Sequence, residues 1–257
     1  MSLTVCTLQA QLNIPALKLE STNKILLQSY YSCVDRPAQE DNMTAHSDPT
    51  QEAAVQPAAA GVSKDLPPSS DLTIVRLTHS EDVVRHLSSL RTLLQSCVNP
   101  EPAKSSIGFR APLIDAEADE YFMQCARKLG EEPLSFYMFV LLGTNATGSP
   151  DPPPVLGTVA LNTIPKVTHG HRAEVSKLLV RSDEQRRGYG KLLMAHVEHF
   201  AQAELGKDVL ILDTSSDLPA RGFYNRIGWT EWGTCPEWAE FADGRRTATT
   251  FFVKLLK

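Results

Sequence analysis

The stretch VRSDEQRRGYGK, Val180 to Lys191, decides how this chain is read. It joins an apolar run with strand character, Arg172–Val180, to an amphipathic run ending near Leu205, whose apolar stripe is Leu193, Val197, Phe200 and Ala201. Gly188 and Gly190 let the backbone approach a ligand closely. A helix start behind them offers unpaired N–H groups and a partial positive charge, which suits a pyrophosphate. Arg186, Arg187 and Lys191 add full charges. Two other phosphate loops are excluded. A Walker A loop needs Gly where Gln185 stands and Ser or Thr where Leu192 stands, and a dinucleotide fingerprint needs a third spaced glycine that is missing here.

Working outward, Leu72–Leu77 alternates like a strand, and a helix pattern runs from Ser80 through Val84, Leu87, Leu90 and Leu94. A second helix covers Ile114–Leu129 and stops at Gly130. Leu134–Leu142 is an apolar strand, 144–154 a loop by composition, and Val155–Asn162 a strand forming a hairpin with Arg172–Val180. Downstream, Asp208–Asp213 reads as a buried strand and Pro219–Ile227 as a short helix. Asp243-Gly244 reads as a hairpin turn leading into the β-branched, aromatic strand Thr247–Leu256. Antiparallel strands with a few inserted helices predict one α/β domain, 71–257. Residues 1–70 become rich in Pro, Ala, Gln, Ser and Asp beyond position 35 and are read as a disordered leader, with a short helix within 8–31 at most.

Composition narrows the function. The chain has 257 residues, 42 % apolar and 21 % charged, with a net charge of −5. That balance speaks against a nucleic-acid partner. No apolar run approaches the roughly 18–20 residues of a membrane helix, and the N-terminus lacks the pattern of a secretory signal. The five cysteines are odd in number and never at a CxxC spacing, so neither a disulfide framework nor a zinc ribbon is expected. A cytoplasmic location follows as the default. His196 and His199, spaced i,i+3, have no apparent third ligand and read as a solvated helix face; no metal is expected. His169 and His171 read as exposed loop, and Cys235 has no partner to activate it.

Three segments together carry a resemblance. The strand Ala173–Val180 with the turn Gln185–Gly190, and the later Phe223-Tyr224-Asn225-Arg226-Ile227-Gly228-Trp229, resemble motifs A and B of the GNAT acetyltransferase superfamily. Leu212-Asp213-Thr214, Pro236-Glu237-Trp238-Ala239 and Asp243-Gly244-Arg245 followed by ATTFF resemble its tabtoxin-resistance-like branch. The resemblance covers 72–257 and is strongest from 172 onward. Ser182 stands where the family usually has Pro, and 144–154 looks like an insertion.

The resemblance implies an α/β (α+β) GNAT fold: a mixed, mostly antiparallel sheet of six to seven strands flanked by helices, with a splayed central strand pair. It implies an N-acetyltransferase using acetyl-CoA as cosubstrate, with direct transfer to a small-molecule or amino-acid-like amine in a ternary complex, by a monomer or homodimer. Leu178, Leu179 and Val180 would pair with the pantetheine arm, and Gln185, Arg186, Arg187, Gly188, Tyr189, Gly190 and Lys191 would hold the pyrophosphate. The chemistry needs a base for the ammonium and an acid for the departing thiolate. Glu174 and Asp213 are the candidate bases, and Tyr224, with a phenol ordinarily near pKa 10, is the candidate acid. Trp232, Trp238 and Phe241 would border the acceptor. The rival readings are a protein or peptide acetylase and a non-catalytic acyl-CoA-binding module.

Overall fold

The computed structural model describes residues 72–144 and 151–256. The expected leader 1–70 and most of the 144–154 loop's first half lie outside the described residues. Seven strands form one sheet: β1 (Thr73–Leu77), β2 (Phe136–Leu142), β3 (Val155–Thr163), β4 (Arg172–Val180), β5 (Val209–Ser215), β6 (Thr230–Glu240) and β7 (Arg246–Leu255). Their order is β1-β2-β3-β4-β5-β7-β6. Every neighbouring pair is antiparallel except β4 with β5.

Helices cover both faces, which explains why FYMFVLL in β2 is apolar without interruption. Met138 and Val140 face a core built with α1 (Ser80–Arg85), α2 (Leu87–Val98) and α3 (Asp115–Lys128). Phe139 and Leu141 point the other way, into a core shared with α4 (Tyr189–Ala203) and α5 (Pro219–Arg226). α4 contributes Leu193, Met194, Val197, Phe200 and Ala201, a single apolar stripe at helical spacing.

Three local readings are corrected. The helix expected from Ser80 through Leu94 breaks at His86, whose φ/ψ of −101°/6° ends α1 and starts α2. Residues 230–240 form a full strand, where the sequence shows only an aromatic segment. His196 is not simply solvated: its ring packs edge-on against Phe139 at 5.0 Å. No helix among the described residues is long and apolar enough to cross a membrane.

Candidate active site

The site begins where the central pairing stops. β4 and β5 are registered through Arg172–Val209, Ala173–Leu210 and Glu174–Ile211 and no further. Beyond Glu174 no register joins the two strands, so among the described residues that edge of β4 has no strand partner, and Val180 O accepts instead from the Cys97 thiol and Gln185 Nε2. On its other edge β4 stays bonded to β3, through a bulge that sets Lys177 and Leu178 opposite Val159. Lys177 takes φ 50°, in the left-handed region.

Into this opening runs a cleft of about 800 Å³ lined by Leu178, Leu179, Val180, Gln185 and Arg186. An adjoining pocket of about 400 Å³ adds Gly188, Tyr189, Gly190 and Lys191. Nine of the ten expected cofactor-binding residues thus line one continuous stretch of surface. Arg187 does not; it pairs with Glu184 at 3.1 Å. The turn itself is built by two left-handed residues, Arg186 (φ 64°) and Gly188 (φ 87°). The first backbone hydrogen bond of α4 runs from Leu192 N–H to Gly188 O, at 3.0 Å. The N–H groups of Tyr189, Gly190 and Lys191 therefore have no acceptor within the helix.

The far wall of the cleft was not legible in sequence. Ser96 and Cys97 at the end of α2, Lys104 and Ser105 beyond it, and Leu218–Ala220 at the start of α5 all line it. The Cys97 thiol donates to Val180 O at 3.5 Å, and burial pushes its pKa up. That leaves it protonated and structural rather than nucleophilic.

Two of the three candidate catalytic residues, Glu174 and Asp213, lie together on β4 and β5 where the pairing ends. Ala173 and Val175 face the α4 core, as do Leu210 and Leu212. By strand alternation Glu174 and Asp213 share the opposite face. Burial, and then the charge of Asp213, push the Glu174 carboxyl above its ordinary range, while Lys177 opposes the shift. Asp213 is reached by solvent, yet the protein around it takes away part of its hydration and raises its carboxyl too; Lys177 again opposes. Among the described residues neither carboxylate is tied up in a side-chain hydrogen bond.

Lys177 is the residue that sequence reasoning missed. Its Nζ donates to Ile107 O and lies 5.3 Å and 5.8 Å from the ring centroids of Phe109 and Tyr121. The bulge aims it inward, and burial lowers its pKa. A helical or plain-strand reading of EVSKLL gives no sign of this.

Tyr224 lies across the sheet, 8 % exposed, packed on Phe252 at 5.5 Å and Phe223 at 5.2 Å between ring centroids. Burial, and then the Asp213 charge, push its phenol well above the ordinary value. An ordinary phenol is thus not what the fold provides: at neutral pH Tyr224 holds its proton firmly. α5, which carries it, is anchored to β6 by the paired bonds of Arg221 to Glu231, at 2.9 Å and 2.7 Å.

Beside Asp213 the surface is aromatic. Phe251 on β7 is registered with Asp213, and Trp232 and Trp238 of β6 contact its ring at 5.5 Å and 5.4 Å. Phe241, expected at this border, is buried with Arg245 over its ring, and belongs to the packing beneath the hairpin. Among the described residues no cluster of three or more His, Cys, Asp or Glu could hold a metal.

This architecture, a sheet splayed at its one parallel pair with a phosphate-type turn at the mouth, defines a class: an acyltransferase. Residues 104–229 match the acetyltransferase (GNAT) family, so the chain carries a GNAT acetyltransferase domain. Solved structures share the fold. An N-acetyltransferase from Staphylococcus aureus Mu50 aligns at 16 % identity and TM-score 0.52, over 73 % of this chain and 100 % of that one. A structure described as a phosphinothricin N-acetyltransferase aligns at 19 % and 0.55, over 72 % and 99 %. A ribosomal-protein-alanine N-acetyltransferase from Brucella melitensis aligns at 20 % and 0.51, over 71 % and 99 %. At such identities these likenesses speak to the fold alone.

Proposed function

We propose that the protein transfers an acetyl group from acetyl-CoA directly to the amine of a small molecule in a ternary complex. The observation that carries this reading is the edge of β4 that no strand pairs. It leads from the turn at 185–191 to the Glu174–Asp213 pair, so a long thiol cofactor laid along it would end at two carboxylates.

The residues present fit acetyl-CoA. The N–H groups and cations of the turn suit its pyrophosphate, the edge of β4 at 178–180, which no strand pairs, suits its amide arm once the side-chain bonds of Cys97 and Gln185 to Val180 O give way, and the cleft is large enough to take it. When bound, it supplies an activated acyl group. Glu174, the more buried acid, takes the proton of the acceptor ammonium, directly or through water. Its raised pKa brings it nearer to neutral pH, where a general base works best. Asp213, open to solvent, holds the incoming cation. Tyr224 donates a hydrogen bond to the departing sulphur. Its raised pKa favours holding the proton over giving it up, so its contribution is a fixed dipole at the place where charge develops.

The tabtoxin-resistance-like branch remains our assignment within the family, resting on Asp213, Tyr224 and the 236–252 segment. A reducing, cytoplasmic setting agrees with Cys97, Cys125 and Cys235 being free thiols. Mixing the full chain with acetyl-CoA and a panel of primary amines should release free thiol only when an amine is present. Thiol release at the same rate without any amine would overturn direct transfer.

A further inference from the structure

We infer that the acceptor is an arylalkylamine without a carboxylate: a primary ammonium on a short chain ending in an aromatic ring. This rests on the acetyltransfer reading above and names the substrate class of that site.

Two observations meet at one place. The first is the aromatic group of Trp232, Phe251 and Trp238. Trp232 is 62 % exposed, although a large indole on a sheet ordinarily covers core. It lies in a register irregularity of β6, between Glu231 and Gly233, and packs on Phe251. The second is charge. Phe251 is registered with Asp213, so the aromatic surface and a carboxylate face the same side on adjacent strands, a cross-strand neighbour distance apart. Glu174 stands one strand further on, paired to Ile211, two residues before Asp213. A cation seated at the two acids and a ring laid on the aromatic group are thus joined by a short linker. Aromatic faces also attract an approaching ammonium.

The cations nearby argue against a carboxylate on the acceptor. Arg110, before α3, is paired to Glu240 of the hairpin, and on the hairpin Arg245 is paired to Asp243 at 2.8 Å and Arg246 to Glu237 at 3.5 Å. Lys177 is engaged with Ile107 O beneath Phe109. Arg172 faces this side of β4 but is registered with Val209, four residues down β5 from Asp213. Among the described cations Lys177 is the one whose charge acts on both acids, so an acceptor carboxylate would add a third negative charge against that single positive one, and like charges brought together discriminate against such a ligand.

The test uses the full chain, with acetyl-CoA binding followed by calorimetry and thiol release followed for 2-phenylethylamine, ethylamine and phenylalanine. The expected result is a kcat/KM for 2-phenylethylamine at least about tenfold above ethylamine, from ring burial and stacking. Phenylalanine should fall at least about tenfold below 2-phenylethylamine, from the added negative charge. Trp232→Ala should pull the first ratio toward one. The wild-type ratios stand by themselves should that variant fold poorly. Equal rates for 2-phenylethylamine and ethylamine, a preference for phenylalanine, or acetyl-CoA binding with none of the three amines reacting overturns this proposal and leaves the cofactor reading in place. A concentration-dependent dimer that Trp232→Ala dissolves, with the amine ratio near one, assigns the aromatic group to a second copy of the chain and overturns it as well. Absence of acetyl-CoA binding removes the acetyltransfer reading first and the acceptor class with it.

Discussion

Glu174 and Asp213 lie on adjacent parallel strands and face the same side of the sheet, Glu174 in the last registered pair and Asp213 two residues past its partner Ile211. Parallel pairing brings the two acids together, and its abrupt end opens the space above them. Each acid is raised by burial, Glu174 further by its neighbour, and each is held back by Lys177.

The pH profile of kcat/KM should report this pair. The base must be deprotonated, so activity falls as pH drops through its pKa. That acid limb should lie above the ordinary glutamate value of 4.5, because the shift is upward. Asp213→Asn removes the neighbouring negative charge and should move the limb to lower pH. Glu174→Gln should cost roughly 10²–10⁴-fold in kcat. Identical limbs in the wild type and Asp213→Asn would contradict the pairing.

Lys177 should have the opposite sign. Its charge lowers both carboxyl pKa values, so Lys177→Met should move the acid limb to higher pH. Lys177→Arg, keeping the charge, should return it toward the wild-type position. A loss of kcat in Lys177→Met without any movement of the limb would mean that the residue only supports the segment around Ile107.

Tyr224→Phe separates chemistry from packing. The ring stays in its contacts with Phe252 and Phe223, and the lost hydroxyl has no hydrogen bond to leave broken among the described residues. Tm should not fall. The rate should drop by about 10–10³-fold, as for the loss of one donor to developing charge, while acetyl-CoA affinity holds. A normal rate would remove Tyr224 from the reaction.

Gly157 is where the backbone of β3 has no room. A Cβ there would stand 2.8 Å from Leu179 O and 3.0 Å from Leu193 Cδ1. Gly157→Ala should cost about 1–3 kcal/mol, as overpacking does, seen as a lower Tm. It should also weaken acetyl-CoA binding, because Leu179 belongs to the strand that lines the cleft. An unshifted Tm would show that β4 yields more easily than its packing indicates.

How far the sequence could be read depended on whether the signal was local. The turn at 185–191 and the run Phe223–Trp229 carry their own glycines and charges, and both stand where expected. The strand Thr230–Glu240 was obscured because irregularities at Trp232 and at 236–238 break the alternation that marks a strand, and Pro236 adds to the disguise. The break at His86 is equally hidden, since apolar spacing continues across it. Lys177 and the wall formed by Ser96, Cys97 and Lys104 arise from tertiary packing: the first needs the β4 bulge to aim it, and the others need α2 to end beside β4. Arg187, a charge of the right type in the same turn, is paired with Glu184, a contact that the spacing of the turn does not announce.

The central claim is that the turn and the edge of β4 that no strand pairs hold acetyl-CoA. Calorimetric titration of acetyl-CoA into the full chain tests it most directly, with Gly188→Trp as the comparison, since Gly188 sits at φ 87° in the turn. The account predicts saturable binding that Gly188→Trp abolishes. No binding at ligand concentrations up to about a millimolar, which corresponds to less than roughly 4 kcal/mol of affinity, would contradict it.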